Sequence, residues 1–352
     1  MMRLTVVAVL VVSPLLGCVQ PEPGAEGRGG ASAEAVGEGV AELDRAMWIV
    51  HQARDGAYWF GSDGRGVYRW DGERVVRFTA ADGLASDHVR SIQEDGAGAV
   101  FVGCEPGGVS RFDGRTFTTV TARDEDASTW ELRPDDLWFS GGQDTGAVYR
   151  WDGASLHRLT FPKTEAGEAH VAALPRDKFP NATYSPYDVY TSFKDSKGRV
   201  WFGTASLGAC CYDGKTFTWV GHAENDNFGT RAFVEDGEGG YWLSNCINRY
   251  VEAREGGLPR FSKEMGIAKE GDPYSVFMSA VRERDGALWL ATLHGGVYRK
   301  EGGVWTHFPV VDEGAPIRVY SIYKDRRGGL WLGTQEHGVY RFNGAAFERF
   351  EP

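Results

Sequence analysis

The 352-residue chain has only five Cys and five Met, and it has fewer basic than acidic residues. Lys and Arg total 38 against 49 Asp and Glu, a formal net charge of -11. Neutralising a phosphate backbone takes clustered basic side chains, so nucleic acid is not an expected partner. No run of about 18 apolar residues occurs, so no mature segment reads as a membrane-spanning helix. No HExxH, CxxC or GxSxG is found, so no catalytic group, metal or cofactor is indicated by motif. Aromatics make up 13% of the chain, too many for wholesale disorder.

Glycine is plentiful instead, at 48 residues, and it recurs in register with aromatics. The clearest copies are GRVWFGT at 198–204, GALWLAT at 286–292 and GGLWLGT at 328–334. Weaker ones are GAYWFGS at 56–62, GAVFVGC at 98–104, DDLWFSG at 135–141 and GGYWLSN at 239–245. The anchor aromatics Trp59, Phe101, Trp138, Trp201, Trp242, Trp289 and Trp331 are spaced by 42, 37, 63, 41, 47 and 42 residues. Self-similarity at such a period marks a stacked or radial array.

Each copy predicts four strands. Strand A is an alternating run before an Asp, as in Val89-Arg90-Ser91-Ile92 with Asp95 or Val319-Tyr320-Ser321-Ile322 with Asp325. Strand B holds the anchor aromatic, and strand C is Gly-Val-Tyr-Arg or a variant, as at 66–69, 296–299 and 338–341. Strand D follows an Asp-Gly or Asn-Gly pair at 113–114, 152–153, 213–214 and 343–344, dipeptides that suit two-residue hairpin loops. Strand B is apolar on both faces, so each sheet needs a neighbour on either side. Seven sheets set radially meet that need, which predicts an all-β, seven-bladed β-propeller of four-stranded antiparallel blades over 45–352. The first copy has its own strand A and the last its own strand D, so no strand exchange between the chain ends is expected.

Ahead of this body, Arg3 precedes a largely apolar run at 4–12, the length of a signal-peptide core. Leu15-Leu16-Gly17-Cys18 resembles the bacterial lipoprotein box, which implies cleavage after residue 17 and lipidation of Cys18. No Asp follows Cys18, a pattern that favours the outer membrane. Residues 18–44, dominated by Gly, Ala and Glu, read as a flexible tether. The remaining cysteines, Cys104, Cys210, Cys211 and Cys246, are read as buried thiols before a bridge. Cys210 and Cys211 must face opposite ways along one strand.

The run D-x-x-G-x-L/V-W-F/L-G-T followed by G-V-Y-R-F/W-D/N-G resembles the two-component regulator propeller repeats. The resemblance covers about 47–352 and implies a periplasmic sensor-type propeller, here as a stand-alone lipoprotein whose signalling partner is a separate protein. Phe101 in place of Trp and Cys210-Cys211 in place of Tyr-Arg depart from the repeat.

Function is expected on the face formed by B–C and D–A loops, where length varies most. Asp63, Glu105, Asp144, His294, Glu336 and His337 sit in B–C loops. The long connection 161–187 adds Phe179 and Tyr184, and with Trp130, Tyr187 and Phe228 these supply surfaces for stacking on sugar rings. Arg69, Arg111, Arg150, Arg249, Arg299 and Arg341 share one strand C slot, read as structural through interblade pairing or stacking on Trp. The leading reading is a membrane-anchored extracytoplasmic binding or sensor module for a carbohydrate, peptide or protein. A propeller-type lyase or glycan hydrolase and an assembly scaffold are the alternatives.

Overall fold

A computed structural model describes residues 37–125, 129–143, 145–173, 185–221, 229–255 and 258–352. Cys18, Asp144, Phe179, Tyr184 and Phe228 lie outside the described residues. Ala35–Pro352 forms one unit, whose strands build seven sheets and one small two-stranded ribbon. The sheets follow one another along the chain as the seven blades of a propeller.

Blade 4 shows the ordinary build: Val189–Lys194, Val200–Thr204, Ala209–Tyr212 and Phe217–Val220, each antiparallel to the next. Its second strand is buried at every position, as are those of blades 1, 6 and 7, because neighbouring blades cover both faces. Trp201 is 0% exposed and packs against Tyr241 of blade 5. The glycine after the anchor strand is needed for this closeness. A Cβ on Gly203 would lie 2.1 Å from the Thr230 carbonyl oxygen, and one on Gly333 would lie 2.4 Å from that of Trp48.

The Asp that opens the A–B turn explains the D-x-x-G spacing. Asp325 Oδ1 accepts the N–H groups of Arg327 at 2.9 Å and Gly329 at 2.7 Å, and Oδ2 accepts Trp331 Nε1 at 2.8 Å. Asp195 repeats this with Lys197, Arg199 and Trp201. Blade 1 has Ala53 at this position, and the Trp59 indole N–H is left without a partner.

No strand is exchanged between the ends. Blade 1 comes from Met47–Gln52 to Val75–Phe78, blade 7 from Val319–Lys324 to Phe347–Arg349, and they close face to face. Trp331 joins Met47, Val50 and Phe60 in one buried cluster across the seam. Residues within the expected tether contribute as well. Glu38–Val40 pairs antiparallel with Val75–Phe78 as a fifth, outermost strand of blade 1, and Glu38 forms an ion pair with Arg77.

Blade 3 departs from the repeat. Its sheet holds Leu137–Ser140, Ala147–Trp151 and Leu156–Thr160, but its fourth strand, Ala122–Asp124, runs parallel to Leu156–Thr160 on the outer edge. The strand nearest the axis is therefore the one that carries Trp138. The chain leaving blade 2 pairs first with the outer edge of blade 3 and, among the described residues, supplies no inner strand, in keeping with the short 37-residue spacing from Phe101 to Trp138. The Trp138 carbonyl instead accepts Gln93 Nε2 at 2.7 Å from blade 2 and Ser192 Oγ at 3.1 Å from blade 4.

Trp130 and Tyr187, read as stacking surfaces, are core residues at 8% and 7% exposure. Both pack with Phe161 and Phe202 between blades 3 and 4, and the Tyr187 hydroxyl accepts the Thr164 N–H at 2.7 Å just before the helix Glu165–Ala173. The four described cysteines are free and buried. Cys210 faces the cluster shared with blade 3 and Cys211 the one shared with blade 5. Burial pushes the Cys104 thiol up to about 11, which keeps it protonated.

Four of the strand C arginines, Arg69, Arg150, Arg249 and Arg299, form ion pairs, and these lie within a blade and not between blades. Arg150 reaches Asp136, just ahead of its own anchor strand, at 2.7 Å, and Arg249 reaches Asp236, the turn Asp of its own sheet, at 2.6 Å. Arg69, Arg299 and Arg341 lie over Trp59, Trp289 and Trp331. Blade 4 has Cys211 in this slot, and Arg199 places its guanidinium over Trp201 instead, 5.8 Å from the ring centroid.

Candidate functional site

The strongest candidate site is the axial cavity, of about 490 Å³. It opens where the inner strands begin and the anchor strands end. Blades 1, 2, 4 and 7 each interrupt the register of the inner strand by one residue, between Met47 and Ile49, Val89 and Ser91, Val189 and Thr191, and Val319 and Ser321. The residues left over are Trp48, Arg90, Tyr190 and Tyr320. A bulge re-aims one side chain without disturbing the rest of the strand, and all four line the cavity. Arg231 and Met278 hold the equivalent place at the start of blades 5 and 6 and line it too. Blade 3, which has no inner strand, contributes Ser140, Gly142 and Gln143 from the end of its anchor strand.

These side chains are organised in pairs. Trp48 and Tyr320 stack across the seam, with centroids 4.4 Å apart and planes 18° from parallel. The Arg90 guanidinium lies 4.6 Å from the Trp48 ring centroid, and that of Arg231 lies 4.1 Å from the Tyr190 ring centroid. Arg90 also reaches Asp63 Oδ1 at 2.9 Å and Glu105 Oε2 at 3.7 Å. Burial works against charge on Asp63, but hydrogen bonds from His88 and Arg90 outweigh it and hold the carboxyl below its usual range. The Ser321 hydroxyl donates to the Trp48 carbonyl at 2.6 Å, which braces the wall between blades 7 and 1.

Of the residues singled out from sequence, Glu105 lines the axial cavity. Asp63, Glu336 and His337 share a second hollow beside Asp44 and Arg45, where blades 1 and 7 meet. His294 is exposed on the B–C turn of blade 6 and joins neither group. Among the described residues, no group of three or more His, Cys, Asp or Glu comes together in a way that would hold a metal ion. Sequence reading passed over Trp48, Tyr190, Arg231, Met278 and Tyr320. A signal for them was present. In blades 2, 4, 5 and 7 the position five residues before the turn Asp holds Arg90, Tyr190, Arg231 and Tyr320, large side chains that no repeat rule requires.

Fold and cavity together define a seven-bladed propeller with an axial pocket. The family pattern of the two component regulator propeller matches residues 314–336, at the last blade. No curated protein matches the chain. Among solved structures it is similar to the extracellular domain described as a one component system of B. thetaiotaomicron, at 17% identity and a TM-score of 0.54. That match covers 86% of this chain and 40% of the other, so the chain spans well under half the length of that protein. It is also similar to virginiamycin B lyase from Staphylococcus aureus, at 12% identity and a TM-score of 0.60, over 86% of this chain and 97% of the lyase. The WD40 propeller domain of Doa1 is matched at 10% identity and a TM-score of 0.56, over 90% and 97% of the two chains. At these identities the likeness establishes the fold alone.

Proposed function

We propose that the chain is an extracytoplasmic, sensor-type binding module whose ligand sits in the axial pocket. One observation carries this reading: six inner strands each direct a large side chain from the same place into a single cavity, and the repeat requires none of the six. Stacked rings bordered by hydroxyls and charged groups suit a carbohydrate or a short peptide, because a flat apolar face and directional polar groups are both offered. The pocket's carboxylates are already engaged. Glu105 meets Arg90 and accepts the Gln143 N–H at 3.2 Å, and Asp188 accepts the Gly146 N–H at 3.1 Å. Groups held in this way favour binding over acid–base catalysis. Attachment to the membrane through lipidated Cys18, and relay of the signal to a separate signalling partner, complete the proposal.

The test is a glycan and peptide array probed with the wild type and with a Trp48→Ala/Tyr320→Ala double variant whose melt stays within a few degrees. Hits lost in the double variant support the axial site. Hits kept unchanged place the ligand elsewhere and overturn the reading.

A further inference from the structure

We infer that the ligand of the axial pocket carries a carboxylate, and that Arg231 is the residue that selects it. The inference rests on the axial reading above and adds the ligand's charge.

The charges around the pocket balance, with one exception. Arg90 is committed to Asp63 at 2.9 Å and Glu105 at 3.7 Å. The second oxygen of Glu105 takes the Gln143 N–H, and Asp188, at 5% exposure, takes that of Gly146. The Arg231 guanidinium meets no carboxylate among the described residues and lies over the Tyr190 ring, 4.1 Å from its centroid. Of the strand C arginines, Arg69, Arg150, Arg249 and Arg299 each meet at least one Asp or Glu, while Arg341, outside the pocket, lies over Trp331.

The manner in which Arg231 is held matters as much as its lack of a partner. A guanidinium stacked on a ring uses its flat face, and its N–H groups stay free in the plane at the edge. That edge is a fork whose spacing fits two carboxylate oxygens at once. The backbone beneath is fixed as well. The Arg231 and Ala232 N–H groups both donate to Ser244 Oγ, at 2.6 Å and 2.9 Å. A fork held on a ring and anchored at its own backbone loses little freedom when a ligand docks. The net charge of -11 repels anions at long range, but this field is screened beyond roughly 8–10 Å at physiological salt, and the local guanidinium decides.

The rest of the ligand follows from the other side of the pocket. Blade 5, which carries Arg231, stands across the ring from blades 1 and 2. A carboxylate on Arg231 directs the attached body toward the Trp48–Tyr320 stack, which suits a planar ring or the apolar face of a pyranose.

Matched acids and neutral isosteres test this on the whole mature chain: benzoate against benzamide, and glucuronate against glucose. Binding is read by saturation-transfer NMR and by tryptophan fluorescence, with Trp48→Phe identifying the part of the signal that comes from the pocket. The expected result is that at least one acid binds at millimolar concentration about tenfold more tightly than its neutral partner. Arg231→Gln should abolish the difference and Arg231→Lys should restore part of it. Arg231 is exposed and in no ion pair among the described residues, so its variants should melt with the wild type. Equal binding of acid and neutral partner, still with Trp48-dependent quenching, overturns the carboxylate inference and leaves the axial site standing. Acid binding that persists in Arg231→Gln and leaves Trp48 unaffected overturns both. Failure of both acids to bind at millimolar concentration overturns the carboxylate inference.

Discussion

Tyr58 Oη of the first blade donates a 2.7 Å hydrogen bond to Asp325 Oδ2 of the last. The carboxylate that organises the final A–B turn thus also receives the opening strand, so one group serves both the last turn and the closure of the ring. Asp325 is held below the usual carboxylate range. Burial opposes this, but the hydrogen bonds from Trp331 and Tyr58 outweigh it. The Tyr58 hydroxyl is pushed up to about 12, by burial first and then by Asp325, so it remains a donor at any working pH. Tyr58→Phe removes one donor from a buried anion and should cost about 1–3 kcal/mol. Calorimetry should show the melt lower by several degrees; an unchanged melt would mean that the seam does not depend on this bond.

A second prediction concerns the anchor aromatics. Trp201 is fully buried, and its Nε1 donates to Asp195 at 3.0 Å. Trp201→Ala leaves a cavity between blades 4 and 5 and takes one donor from the turn Asp, at a cost of roughly 3–5 kcal/mol. Urea unfolding gives the value directly, and a loss under about 1 kcal/mol would contradict the packing described.

His51 gives the fold a pH dependence. Burial, and then the nearby Arg326, lower its pKa to about 4, and its Nε2 has no hydrogen-bond partner. The unfolded chain, with an ordinary imidazole near 6.5, binds the proton more readily than the folded one between these values. The contribution is therefore complete above about pH 6.5 and declines as pH falls toward 4, by at most about 1.4 kcal/mol per pH unit. Melts from pH 7 to 4 should fall more steeply for the wild type than for His51→Gln, and parallel curves would remove His51 as the cause.

Much of this architecture is legible in the sequence, for a physical reason. Blade count, strand assignment and closure follow from a repeat whose every element is dictated by burial or turn geometry, such as the Asp325–Gly329 turn and the apolar strand around Trp201. What was not legible lies where the repeat breaks. The inner strand of blade 3 was expected like the others, because strand pairing at the outer edge of a sheet leaves no periodic mark in three residues such as Ala122–Asp124. Trp130 read as a loop aromatic because its burial depends on Phe202 and Phe217 of the next blade. Trp48 and Tyr320 were hidden within alternating runs, since a bulge shifts one side chain without changing the composition around it.

Membrane attachment has a separate test. Cys18→Ser should abolish acylation and release the protein into the soluble extracytoplasmic fraction, with its melt unchanged. Mass spectrometry of the N-terminal peptide and fractionation answer this together. An unmodified wild-type Cys18, with membrane association equal in both forms, would remove the lipid anchor.

The break in blade 3 sets up a last prediction, one of non-additivity. The Trp138 carbonyl on the bare inner edge accepts Gln93 Nε2 at 2.7 Å and Ser192 Oγ at 3.1 Å, from the blades on either side. A carbonyl oxygen has two lone pairs, and one donor is enough to spare it the full penalty of desolvation. Gln93→Ala alone leaves Ser192 in place, Ser192→Ala alone leaves Gln93, and each should cost at most about 1 kcal/mol. Removing both leaves the carbonyl without a protein donor where no inner strand covers it, and adds the remaining penalty of about 1–3 kcal/mol. The double variant should then lose more stability than the two single losses combined, by a coupling of about 1 kcal/mol or more in a double-mutant cycle. Strict additivity would show that water entering from the axial cavity replaces either donor, and that the edge of blade 3 is solvated and not sealed by its neighbours.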